Sequence, residues 1–152
     1  MKDDLVSDWP LTALVGHNRY STGESWRDLN DCQPISRDGR SIAFNGVINM
    51  AAPASWPSTY AADFFTSNDA EIALLQLERN NVQAVLAAAK VSFAGAWLED
   101  GVIKYARNPR RPLWRGEWNR ASFLASTRDI FDRAGFKGEV SEAIPMEVHE
   151  LT

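Results

Sequence analysis

Hydrophobic and polar positions along this chain change over in short blocks, and the blocks predict elements one by one. Leu5, Val6 and Trp9 fall at helical spacing, predicting a short helix or turn that ends at Pro10. The apolar run from Leu11 predicts a buried strand to His17, whose end carries Arg19 to Thr22. Gly23 to Asp31 is polar without period and reads as a loop. Gln33–Ser36 and Arg40–Phe44 flank Asp38-Gly39, a strong hairpin signal, and Asn45-Gly46 is expected to close the second strand. Met50 to Thr59, rich in Ala, Pro and Ser and free of charge, predicts an irregular crossing segment.

The second half is more regular. Ser67 or Asn68 caps a predicted helix from Asp69 to Arg79, with Asp69 and Glu71 at its positive end and Ile72, Leu74, Leu75 and Leu77 on its apolar side. Val82 to Lys90 reads as a further helix, helped by four alanines. Ser92–Leu98 and Val102–Ala106 form a hairpin through Asp100-Gly101, and Leu113–Gly116 pairs with Ser122–Ala125 around residues 117–120. Thr127 opens a helix through Ala134 that stops at Gly135, and Val140 and Met146–His149 are closing strands. Hairpins and helices come in separate runs without a βαβ rhythm, so the predicted class is α+β with antiparallel sheets.

Composition narrows the functions. The 152 residues suit one domain, 1–152, with a real core. Sixteen basic against twenty acidic side chains, net −4, give no general attraction for nucleic acid or an anionic membrane. No segment is apolar for long enough to span a bilayer, and the first residues are acidic where a signal peptide is basic, so a cytoplasmic protein is expected. One cysteine and two histidines build neither a disulfide framework nor a structural zinc site, and no metal or cofactor is expected. Trp9, Trp26, Trp56, Trp114 and Trp118 sit beside polar residues or proline, placing them at core edges or interfaces.

Candidate chemistry gathers between Gly16 and Gly46. Arg19 offers a planar fork that matches a carboxylate, and Thr22 a hydroxyl. Asn45 brings an amide next to Gly46, which lets a ligand approach the backbone N–H. The pocket these predict takes something small with a carboxylate. Cys32, mid-chain with no neighbouring histidine, reads as inert. His17 reads as a structural hydrogen-bonding residue, and Arg107, Arg110, Arg111 and Arg115 are a weak candidate for phosphate.

Gly16-His17-Asn18-Arg19-Tyr20-Ser21-Thr22, then Gln33-Pro34 and Phe44-Asn45-Gly46, resembles the glutaminase domain of class II glutamine amidotransferases, of the N-terminal-nucleophile hydrolase superfamily. The similarity continues in order through Asn68-Asp69-Ala70-Glu71, Phe93-Ala94-Gly95-Ala96-Trp97, Ala106-Arg107-Asn108-Pro109 and Phe123-Leu124-Ala125-Ser126. The resemblance implies a four-layer αββα sandwich and a glutamine pocket. In it Arg19 clamps the α-carboxylate, Thr22 is a further substrate-binding residue, Asp69 holds the α-ammonium, and Asn45 with Gly46 forms the oxyanion hole. Such enzymes use an N-terminal cysteine whose own amine is the base. This sequence begins Met1-Lys2-Asp3-Asp4, fifteen residues ahead of Gly16. The expectation is therefore a domain truncated at its N-terminal edge and inactive alone, with L-glutamine as ligand and a protein partner or homo-oligomer at an exposed sheet edge. The alternative is a catalytically dead amidotransferase fold that serves as a protein-binding regulator or inhibitor.

Overall fold

A computed structural model describes residues 14–17 and 28–151. The expected N-terminal helix, and with it Arg19 and Thr22, lies outside the described residues. Eight described strands form two sheets. The larger has the order β1 (Ile35–Arg37), β2 (Arg40–Val47), β3 (Ser92–Glu99), β4 (Val102–Arg107), β8 (Val148–Glu150). The smaller has β5 (Trp114–Trp118) between β6 (Ala121–Ala125) and β7 (Glu139–Glu142). All described pairings are antiparallel, so the mixed α and β composition with antiparallel sheets stands as expected.

The three hairpins turn where the sequence carries residues that tolerate positive φ. Asp38-Gly39 has φ of 48° and 77°, and Asp100-Gly101 has 52° and 78°. Asn119-Arg120 makes the third turn at 51° and 62°, although no glycine is present.

Strand alternation then sorts the side chains of the larger sheet. Ile42, Phe44, Phe93 and Trp97 point to one face and pack with Ala70, Ala73, Leu74 and Leu77 of α2 (Ala70–Glu78) and Val85 and Leu86 of α3 (Val82–Ala87). Each fully buried large apolar side chain here contributes about 1.5–3 kcal/mol. On the other face Ala94, Ala96 and Tyr105 pack with Leu113, Leu124 and Ala143 from the smaller sheet and its approaches. Beyond that sheet, Phe131 of α4 (Arg128–Arg133) and Phe136 close over Gly116, where an added Cβ would lie 2.5 Å from the Phe131 ring.

Several elements differ from expectation. Leu14 to His17 are not a strand; Leu14 is 65% exposed, and a short apolar run does not distinguish a strand from a cavity wall. Asn45-Gly46 does not end its strand, because both residues pair in register with Ala94 and Phe93 and β2 runs on to Val47. Within the expected irregular segment, a 3-10 turn at Pro53–Ser55 leads into α1 (Trp56–Tyr60). Proline is accommodated in both first turns, and the buried Trp56 indole donates to Ala51 O at 3.1 Å. The helix expected to reach Lys90 stops at Ala87, since Ala87, Ala88 and Ala89 are exposed and propensity without burial does not extend it.

Candidate functional site

A cleft of about 1190 Å³ opens beside the end of β2. Gln33, Asn45, Gly46, Asn49, Ser67 and Asp69 line its polar end, and Leu14, Val15, Gly16 and His17 also reach it. Its other arm runs past Ala94, Ala96, Leu113 and Leu124 toward the smaller sheet.

The β2 wall is fixed at two points along one edge. Gln33 Oε1 accepts from Phe44 N–H at 2.6 Å where β1 has already ended. Ile48 N–H, on the same edge by the strand's period of two, donates to Asp69 Oδ2 at 2.6 Å. Gly46 lies between them, and the alternation aims its N–H at that edge. Asn45 shares the face of Ala43, Ala94 and Ala96, so its amide projects over small side chains. Phe44 points the opposite way, stacked on Phe93 at 5.4 Å, and its ring stays out of the polar end. Gly46 has φ of 151°, and a Cβ there would lie 1.9 Å from Ser92 O of β3. Glycine is thus required by the neighbouring strand, whatever else it does.

The opposing wall is the start of α2. Asp69 Oδ2 accepts from Asn49 N–H (3.3 Å) as well as Ile48, tying the helix to the exit of β2. Asn68 is the side chain that caps: its Oδ1 accepts from Ala70 N–H at 3.0 Å and its Nδ2 donates to Asp31 O at 2.7 Å. Asn49 orders the next turn, donating to the Tyr60 hydroxyl at 2.8 Å and accepting from Ala51 N–H at 2.8 Å.

The fold therefore brings Asn45, Gly46 and Asp69, separated by more than twenty residues, to one cleft. Cys32 is half-buried, donates to Asp28 O at 3.6 Å and is not among the cleft-lining residues. Of the arginine run, Arg107, Arg111 and Arg115 are engaged in structure, Arg111 Nε donating to Ser92 Oγ at 3.4 Å, while Arg110 is exposed. Arg107 donates to Ala143 O (2.6 Å) and Arg111 O (3.3 Å) and pairs with Glu142, while Arg115 pairs with Glu117. His149 stacks on Tyr105 at 5.1 Å, and burial pushes the Tyr105 phenol pKa up. Trp56 is buried, whereas Trp118 is 46% exposed.

Three polar residues at or behind the site were not anticipated as such, Asn49 lining the cleft and Asp31 and Glu71 standing outside its lining. Asp31, Glu71 and Asn49 are nearly or partly buried and hold backbone N–H groups. Asp31 sits in an aperiodic loop, so nothing local signalled it; Glu71 read only as a helix-opening acid. Among the described residues no group of three or more His, Cys, Asp or Glu is placed to hold a metal, and no helix is long and apolar enough to cross a membrane.

No protein-family model matches the chain, and no curated protein sequence does. Solved structures do. Glutamine phosphoribosylpyrophosphate amidotransferase from B. subtilis, complexed with ADP and GMP, superposes with a TM-score of 0.67 at 23% identity, over 88% of this chain and 31% of its own. A structure described as the allosteric regulatory enzyme of purine biosynthesis gives 0.62 at 22%, over 80% of this chain and 29% of its own. The chain thus spans under a third of the length of the structures it matches. At such identities the likeness is one of fold.

Proposed function

We propose that this chain carries a glutamine pocket of the class II amidotransferase type, on a helix–sheet–sheet–helix sandwich. The observation that supports it is convergence: a helix-borne carboxylate and a strand-borne amide and N–H face one cleft, as an amino acid with a side-chain amide requires. In this reading Asp69 takes the α-ammonium, and its carboxylate is held in place by the Ile48 and Asn49 N–H groups. Asn45 and the Gly46 N–H take the side-chain amide oxygen, where negative charge would develop during hydrolysis. Arg19 takes the α-carboxylate through its fork and Thr22 supports it. Cys32, bonded to Asp28 O and outside the cleft lining, does not serve as nucleophile. Unless another group supplies one, the expected activity is binding of glutamine without release of ammonia.

Calorimetric titration with L-glutamine tests this. Saturable heat that disappears in Asp69→Asn and Arg19→Ala supports the pocket; no heat at millimolar ligand in folded protein overturns it.

A second reading, an amidotransferase-like fold that works by binding another protein, is favoured by one observation. Trp118 (46% exposed) and Phe123 (41%) flank Phe136, with Ile130 (47%) on α4 nearby in sequence to Phe131. Exposed aromatic residues of this kind are enriched at interfaces. Sedimentation as a monomer, unchanged by Trp118→Ser and with no copurifying chain, would remove this reading.

A further inference from the structure

We infer that Glu71 is a positioning residue: it sets the segment that leads into Asp69, and through it the place of the Asp69 carboxylate in the cleft. This rests on the glutamine-pocket reading for its functional meaning, though not for its geometry. Residues 65–68 belong to no helix or strand, yet each of their four N–H groups is held by a side chain. Phe65 N–H donates to both Glu71 oxygens at 3.0 Å, and Thr66 N–H to Oε2 at 2.8 Å. Ser67 N–H donates to Asp31 Oδ1 at 2.6 Å, and Asn68 N–H to Thr66 Oγ1 at 3.2 Å. Thr66 Oγ1 in turn donates to Glu71 Oε2 at 3.0 Å.

Glu71 is thus the hub, and it is 1% exposed. Enclosing a carboxylate so completely is costly unless donors surround it. Here the donors are three groups of the arc together with Arg37 Nη1, which reaches Oε1 at 3.2 Å. Favouring the start of α2 does not require burial, because the helix dipole acts on an exposed acid as well. What burial adds is direction: the arc can lie in one way only if all its donors are to be met. At its end stands Asp69, holding Ile48 and Asn49.

Amide hydrogen exchange, read residue by residue on the whole chain, tests this without any ligand. In Glu71→Gln, exchange is expected to rise at Phe65 and Thr66, and also by about tenfold at Ile48 and Asn49, the scale of a lost hydrogen bond to a charged group. Leu77→Ala, which loosens the same helix without touching the arc, is the control and is expected to leave Ile48 and Asn49 no faster than the rest of the sheet. Thr66→Val, which keeps the carboxylate and removes the hydroxyl that links Glu71 to the Asn68 N–H, should shift the same amides in the same direction and carries the test if Glu71→Gln does not fold. Faster exchange confined to Phe65 and Thr66 would overturn the inference. The glutamine titration separates the two ideas. If the parent protein gives no heat while Ile48 and Asn49 respond to Glu71→Gln, the ligand reading fails and the positioning role stands. If the parent binds glutamine and Glu71→Gln binds it equally well with those amides protected, the positioning role fails and the pocket stands.

Discussion

The two sheets are braced against their helices by different chemistry. Around α2 the apolar packing is locked by buried polar groups: Glu71, Asp31 and Asn68 are buried and each is bonded in several directions. Asn108, also buried, accepts from Phe93 N–H at 3.1 Å and donates to Val91 O at 2.9 Å. Around α4 the bracing is aromatic, with Phe136 set edge-on against Trp118, Phe123 and Phe131 at 4.9–6.0 Å. Aromatic rings fill space and tolerate small shifts, whereas a buried hydrogen bond fails when its partner moves. The cleft's polar wall stands on the directional side, and the half-exposed Trp118, Phe123 and Ile130 stand on the adaptable one.

The sharpest way to break this comparison uses what both regions share. A Cβ on Gly46 would lie 1.9 Å from Ser92 O, and one on Gly138 would lie 1.8 Å from Glu117 O. Gly46→Ala and Gly138→Ala are each expected to cost about 4 kcal/mol or more, enough to unfold most of a marginal domain. Thermal unfolding checks both, and a cooperative near-parental melt in either would mean that its strand pair is looser than described. The next test separates the regions. Arg37→Met strips the buried Glu71 carboxylate of its cation and should cost about 3 kcal/mol. Phe136→Leu keeps an apolar filler among three rings and should cost about 1 kcal/mol. Denaturant midpoints at constant slope measure the difference, and equal losses would erase the distinction between polar and aromatic bracing.

The smallest effect concerns the β3–β4 turn, away from both braces. Hydrogen bonds from Lys104 and then Arg40 hold the Glu99 carboxyl pKa below the usual carboxylate range. A depressed folded-state value means the interaction stabilises above the unfolded value and is lost as pH falls through the folded one. The parent should therefore exceed Glu99→Gln in stability by less than about 1 kcal/mol at neutral pH, the pair being partly exposed. That margin should shrink to nothing below the ordinary carboxylate range. A margin independent of pH would assign it to packing.

How much of this could be read in the sequence depended on whether the determinant was local. Hairpin turns at Asp38-Gly39 and Asp100-Gly101, and the apolar stripe of α2, were legible because turn residues and periodicity act within a few positions. The motif around Asn45, Gly46 and Asp69 was legible as an ordered set of matches, and their meeting in one cleft required the fold. The arc at 65–68 was invisible, because its acceptors, Asp31 and Glu71, lie on either side of it in sequence and carry no pattern. Leu14–His17, the described part of the expected first strand, misled for the opposite reason: a short apolar run lines a cavity as readily as it pairs in a sheet.

The pairing of β2 with β3 has a consequence for the order in which the molecule assembles. The β1–β2, β3–β4 and β5–β6 hairpins each close across two residues, while joining β2 to β3 must close the whole stretch from 48 to 91, with three helices inside it. Each doubling of a closed loop adds about 0.6 kcal/mol of entropic cost, so the hairpins form early and the β2–β3 seam late. Asn45 and Gly46 lie on that seam, and Asp69 lies within the loop it closes. The cleft therefore comes into being with a long-range closure of the larger sheet rather than with its hairpins, and no species holding the hairpins alone would carry it.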